Sequence, residues 1–155
     1  MTKLLHVAIA FSGAILSQIS VAEECPRIAR AVIDLGSGST KLTVAEVELC
    51  AKREPNLVKI LEDSRSEAIA LEAGKNPNGD IPDELQIQTV HAITKLKDEA
   101  REIATAAGLS RLELAIAGTH ALRTARNRGS FLRRLEREGY SARALTQTQE
   151  GRFGF

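Results

Sequence analysis

The sequence predicts an α/β domain in which helices cover a mixed β-sheet, and three observations predict it. Short apolar runs bounded by turn residues follow one another closely between residues 29 and 61. A single long stretch with apolar residues every three to four positions fills residues 83–107. Beyond it, strand-like and helix-like segments alternate to the end of the chain.

The elements can be justified in order. Ala29 to Leu35 (ARAVIDL) is an apolar run ending at glycine, as a buried strand would be. Leu42, Val44 and Val47, interleaved with Thr43, Glu46 and Glu48, form a second strand, and Leu57 to Leu61 a third. The intervening Arg53-Glu54-Pro55-Asn56 has turn composition. Connections this short join antiparallel neighbours, because a parallel pair needs a crossover of a dozen residues or more. Residues 73–82 (AGKNPNGDIP) form a loop. The helix then opens at Pro82-Asp83 and carries Leu85, Val90, Ile93, Leu96, Ala100, Ile103, Ala104 and Ala107 on its inner side, with Gly108 at its C-terminal cap. Leu112 to Ala117 is a further strand. Short helices are expected through Ala121 to Arg126 and around Phe131, Leu132 and Leu135, the latter closed by Gly139. Ser141 to Leu145 is a weak strand candidate, and a helix starts at Gln147. Three antiparallel strands followed by alternating helices and strands is the build of a ribonuclease-H-like half-domain, with no linker or internal repeat along the chain.

Composition sets the chemistry available. The chain has 155 residues, 43% hydrophobic and 26% charged, enough for one well-filled core. Aromatic residues make up only 3%, which removes the stacking platforms that single-stranded nucleic acid requires, so no nucleic-acid partner is expected. The formal charge of +1 supplies no overall field for an anion, so an anionic ligand must be held by local donors.

Residues 1–22 read as a secretory signal. Lys3 precedes a mostly apolar stretch from Leu4 to Ile19, and Ser20-Val21-Ala22 offers small residues for cleavage. A membrane anchor is the competing reading, disfavoured by His6, Ser12, Gly13, Ser17, Gln18 and Ser20 within the stretch. Export to the periplasm is the resulting expectation. Removal of Lys3 with the signal leaves the remaining charges balanced. In an oxidising compartment Cys25 and Cys50 could be bridged, joining the segment before the first strand to the end of the second. Two separate thiols carry nearly equal weight, since geometry decides the matter.

The strongest chemical signal is Ile33-Asp34-Leu35-Gly36-Ser37-Gly38-Ser39-Thr40-Lys41-Leu42 between the first two strands. Glycines permit positive φ and close backbone approach, so successive N–H groups of Gly36, Ser37, Gly38, Ser39 and Thr40 can converge on an anion. The hydroxyls of Ser37, Ser39 and Thr40 add donors for phosphate oxygens. Asp34, at the end of a buried strand, is placed to hold Mg²⁺ or Mn²⁺, or to orient a water. The dinucleotide fingerprint fails because no third glycine opens a helix, and the nucleoside-triphosphatase loop fails because its Gly-Lys-Ser/Thr ending is absent. On this window alone an ordinary Gly-Ser hairpin turn remains equally acceptable.

The segment AVIDLGSGSTKLTVAEV resembles the first phosphate loop of the actin/Hsp70/sugar-kinase superfamily, in the variant of exopolyphosphatases and guanosine pentaphosphate phosphatases. Residues 117–127 (AGTHALRTARN) are similar to that family's A-T-x-A-x-R-x-A-x-N segment, and residues 147–153 (QTQEGRF) resemble its G-E-E-E-A-R-L segment. The likeness runs from residue 29 to residue 155, the expected N-terminal half-domain. It implies hydrolysis of a terminal phosphoanhydride of polyphosphate or a related substrate, with Mg²⁺ or a similar metal. Glu150 matches the family's water-activating glutamate and Arg123 its arginine beside the cleft, which could pair bidentately with phosphate oxygens. Gln149 stands where the family often has another acid, and His120 where it more often has a small residue. Asn127 fits a cap after the short helix that precedes it, and residues 133–138 (RRLERE) a solvated face. The family's second half-domain, with a Gly-rich loop, is not found in these 155 residues. A lone half would be a poor phosphatase, and a non-catalytic phosphate-binding half or remnant needing a partner is the alternative. A homodimer is allowed but not indicated. A sugar-kinase-like or chaperone-like relative is disfavoured by the second and third segments.

Overall fold

The computed structural model describes residues 25–51 and 53–153. The expected signal at residues 1–22 lies outside them. Among the described residues six strands and four helices follow one another as β1 (Arg27–Leu35), β2 (Thr40–Glu48), β3 (Asn56–Glu62), β4 (Ser66–Glu67), α1 (Asp83–Ala106), β5 (Leu112–Gly118), α2 (His120–Thr124), α3 (Arg128–Arg137), β6 (Ala142–Ala144) and α4 (Gln147–Phe153). The sheet order is β3-β2-β1-β5-β6, with β4 beside β2. β1, β2 and β3 are antiparallel, while β5 and β6 add in parallel. This is the mixed sheet expected of a ribonuclease-H-like half-domain.

Period-two alternation gives the sheet two unlike faces. In β1, Ala29, Ala31, Ile33 and Leu35 are buried, and they meet Leu42 and Val44 of β2. Ile93 and Leu96 of α1, Leu122 of α2 and Phe131 and Leu135 of α3 close the same cluster. Three helices thus pack on one face, where the sequence suggested only that helices cover the sheet. The opposite face carries Val32 and Asp34 of β1, both half-buried.

Local signals account for the helix boundaries. After α1 the Gly108 N–H bonds the Thr105 carbonyl at 3.0 Å and the Leu109 N–H that of Ala104 at 2.9 Å. Gly139 and Tyr140 repeat the arrangement after α3, to Glu136 at 2.9 Å and Leu135 at 2.8 Å. Both glycines have positive φ, 74° and 82°, where a side chain would be strained. Asn127 does not cap the end of α2, where Ala125 takes that position. It precedes α3, yet its side chain makes no cap bond. Instead its Nδ2 donates to the Ile81 carbonyl at 2.8 Å and its Oδ1 accepts from the Ile81 N–H at 2.9 Å, which ties the 76–81 loop to the α2–α3 junction. Ala107 is exposed rather than inward, because it follows the last helical turn.

Cys25 and Cys50 form a disulfide with a Cα–Cα distance of 4.5 Å. It joins the entrance of β1 to the exit of β2, at the end of the hairpin remote from the Gly36–Ser39 turn.

Candidate functional site

The parallel strands β1, β5 and β6 end together, and the chain leaves each of them into a connection that carries candidate residues. In open α/β sheets this carboxyl end is where ligands sit. β1 runs into the Gly36–Ser39 turn, β5 into α2 with Arg123, and β6 into α4 with Glu150. The Thr119 N–H bonds the Leu35 carbonyl at 3.3 Å and the Leu145 N–H the Gly118 carbonyl at 2.8 Å, so the three exits stay side by side.

The turn closes through the Gly36 N–H, which donates to the Ser39 carbonyl at 3.0 Å. A Cβ on Gly36 would lie 2.8 Å from that oxygen, so glycine is what lets the turn close. Gly36 therefore shapes the loop but does not offer its own N–H to a ligand. Neither Gly36 nor Gly38 has positive φ, contrary to the expectation from the sequence. The N–H groups of Ser37, Gly38 and Ser39 have no acceptor among the described residues, nor do the hydroxyls of Ser37 and Ser39 have a partner. The Ser37 carbonyl accepts from the Glu72 N–H at 3.0 Å, which braces the turn from the 71–82 loop. Thr40 requires a correction. Strand alternation turns it to the helix side, where it is fully buried and its Oγ1 has no partner, so its hydroxyl is not open to a bound anion.

Asp34 is half-buried on the open face of the sheet. Its Oδ1 is buried without a hydrogen-bond partner among the described residues. Burial raises its pKa, the Lys41 ammonium across the hairpin lowers it, and the Glu150 carboxylate raises it again. A carboxylate oxygen left without a donor is unfavourable by about 1–3 kcal/mol, which a cation or an ordered water would relieve. The residues present therefore fit a hard divalent cation held by one carboxylate and waters.

Arg123 and Glu150 are brought together. The guanidinium Nη1 donates to Glu150 Oε2 at 2.6 Å and to the Leu145 carbonyl at 3.1 Å, with both side chains about one-quarter exposed. Gly118 makes this placement feasible, since a Cβ there would overlap the Leu122 side chain and push α2 off the end of β5. Glu150 is set by a reciprocal cap at the start of α4. The Gln149 side-chain oxygen accepts from the Thr146 N–H at 3.0 Å, and the Thr146 hydroxyl accepts from the Gln149 N–H at 3.2 Å. The glutamine in place of an acid thus has a structural task.

The sequence reading gave no task to Lys75 or Lys41. Lys75, whose side chain is only 9% exposed, donates to Glu72 Oε2 and to the Thr124 hydroxyl, both at 2.7 Å. It links the loop behind the turn to the helix that carries Arg123. His120 Nε2 lies 4.0 Å from the same Glu72 carboxylate. Lys41 sits opposite Asp34 in the hairpin register, a pairing the symmetric Leu35↔Thr40 turn could have disclosed.

No protein-family model matches the sequence, and a search of curated proteins gives no match. Solved structures do match. A Ppx/GppA family member of Aquifex aeolicus is 26% identical with a TM-score of 0.60, over 83% of this chain and 38% of that one. An exopolyphosphatase from Cytophaga hutchinsonii shares the fold at 18% identity and a TM-score of 0.57, over 80% of this chain and 36% of its own. A nucleoside triphosphate hydrolase of Neospora caninum does so at 16% and 0.51, over 85% and 31%. The chain thus spans about a third of these proteins' length, consistent with a half-domain.

Proposed function

We propose that this half-domain, whose structural neighbours are Ppx/GppA phosphatases, is the phosphate- and cation-binding wall of an enzyme that hydrolyses terminal phosphoanhydrides, with inorganic polyphosphate as substrate. The observation that supports it best is the convergence at one sheet end of three unpartnered turn N–H groups, a carboxylate with an orphaned oxygen, and the Arg123–Glu150 pair.

Each group has a task in that reaction. The N–H groups of Ser37, Gly38 and Ser39, with the two serine hydroxyls, seat the terminal phosphate oxygens. They are fixed before substrate arrives, and such preorganisation is where phosphoryl transfer gains most. Asp34 would hold Mg²⁺ or Mn²⁺, which when bound would supply positive charge to the phosphate. Glu150 has one carboxylate oxygen bonded to Arg123. Its other oxygen takes a proton from the attacking water as the new P–O bond forms and the bridging P–O bond breaks. Arg123 keeps Glu150 aimed, and offers its remaining N–H groups to charge developing on the phosphoryl group.

Coverage of 38% of the Aquifex protein favours a second reading, in which this wall binds phosphate but needs a partner half to turn it over. Phosphate release from polyphosphate, guanosine pentaphosphate and ATP, compared side by side with Mg²⁺, separates the two. Release that Glu150→Gln abolishes supports the hydrolase. Binding of polyphosphate without release supports the partner-dependent half, and a chain that neither binds nor hydrolyses polyphosphate overturns both readings. The Cys25–Cys50 bridge supports export to an oxidising compartment, where polyphosphate suits the site better than an intracellular nucleotide.

A further inference from the structure

The register of the sheet places four residues in one row on its open face. Lys41 of β2 lies opposite Asp34 of β1, Asp34 beside Ala117 of β5, and Ala117 beside Arg143 of β6. Partners in register share a face. That face is the one away from α1, α2 and α3, because Ile33 and Leu35, the neighbours of Asp34, are buried under those helices. A cavity of about 600 Å³ opens on this side over Val32, Ala115 and Ala117, with Arg143, Leu145 and Gln149 in its wall. The row therefore reads cation, carboxylate, gap, cation, with the small Ala117 leaving the gap.

Both cations are exposed, and neither makes an ion pair or a side-chain hydrogen bond among the described residues. Four residues down the same face the arrangement is different: there Arg30 closes on Glu113 at 2.9 Å. Lys41 faces Asp34 without an ion pair, so its ammonium is free for another anion. The outer two Cα atoms are three strand spacings apart, about 14 Å. Long side chains reaching inward from both ends can bracket a ligand lying above Ala117. Such a ligand must carry several negative charges along its length, and one orthophosphate cannot engage both ends.

We propose that Lys41 and Arg143 are substrate-binding residues that flank Asp34 and hold the phosphates behind the one being transferred. This rests on the phosphate-cradle reading above and adds the requirement for a linear chain of phosphates. The turn amides take the terminal group, and the two flanking cations take the rest. Lys41 reads the end nearest the cradle, and Arg143 the end over β6.

The test is calorimetric titration of the chain with orthophosphate and with tripolyphosphate, both in Mg²⁺, for the wild type, Lys41→Met, Arg143→Met, Lys41→Arg and Arg143→Lys. The wild type should bind tripolyphosphate more tightly than orthophosphate. Each methionine variant should weaken tripolyphosphate about tenfold, the effect of losing one charge-assisted contact, with orthophosphate nearly unchanged. The charge-conserving variants should stay close to wild type, and melting temperatures should not move. Wild-type affinity in both methionine variants overturns the pair while leaving the cradle standing, as does an equal loss for both ligands. A wild type that binds neither ligand overturns the cradle and the pair together.

Discussion

Replacing Arg123 by methionine should loosen the end of the sheet and take the candidate site apart without unfolding the core. The side chain keeps its aliphatic length but loses two bonds, to Glu150 at 2.6 Å and to the Leu145 carbonyl at 3.1 Å. Both have the charged guanidinium as donor, and a hydrogen bond to a charged group contributes about 1.5–3 kcal/mol. Both partners are about one-quarter exposed, so water recovers part of that loss. We expect a destabilisation of about 2 kcal/mol, or about 6 °C in melting temperature for a domain of this size. The loss should be local as well. α4 has seven residues, too few to persist alone, and the Arg123–Glu150 pair is one of its few ties to the body. Hydrogen exchange should therefore accelerate in residues 147–153 and leave α1 protected. A thermal cycle of Arg123→Met, Glu150→Gln and the double variant should give a coupling of about 1 kcal/mol. Additive single effects, or unchanged exchange in α4, would refute the pairing.

Other outcomes follow from the same geometry. Asp34→Asn should raise stability at neutral pH by about 1 kcal/mol, since it removes a charge whose Oδ1 has no donor, and should abolish Mg²⁺-dependent phosphate binding. The sign of the pH dependence is fixed by the raised pKa. Between the ordinary value of 3.8 and the higher folded value, the native state holds the extra proton, so wild-type stability falls as pH rises through that window. Urea melts at several pH values should show this fall in the wild type and a smaller one in the asparagine variant. Reducing the Cys25–Cys50 bridge, or replacing both residues by serine, opens a loop with a sequence separation of 25. Chain entropy puts the loss at about 3.5 kcal/mol, measurable by denaturant titration with and without reductant. Asn127→Ala should remove two bonds to Ile81 and cost about 2 kcal/mol, with faster exchange at the Ile81 amide as its local signature.

The sequence disclosed those parts of the fold whose signals are local. Ala29 to Leu35 is apolar and ends at a glycine, and it became the C-terminal part of β1. Gly108 and Gly139 marked helix ends because only glycine adopts their φ without strain. β4 escaped notice because it has two polar residues and exists only by pairing with Thr40 and Lys41. The candidate site divides the same way. Asp34, Ser37, Gly38 and Ser39 are contiguous and could be read together. Thr40 was misassigned because one step along a strand reverses the side-chain face, and the exact start of β2 decides it. Asn127 and Gln149 looked like a cap and a substituted acid, but their partners lie in a distant loop and in their own helix start. The Lys41–Asp34–Ala117–Arg143 row could not be read at all without the strand order, because its members are spread over four strands.

Amide chemical-shift mapping with tripolyphosphate and Mg²⁺ tests most directly whether the β1–β2 turn cradles phosphate. The N–H groups of Ser37, Gly38 and Ser39 should show the largest shifts, with Asp34 and Glu150 following, and Gly36 should move less because its N–H is already bonded to Ser39. Shifts confined to the arginines of α3, or a turn unmoved at saturating ligand, would contradict the account.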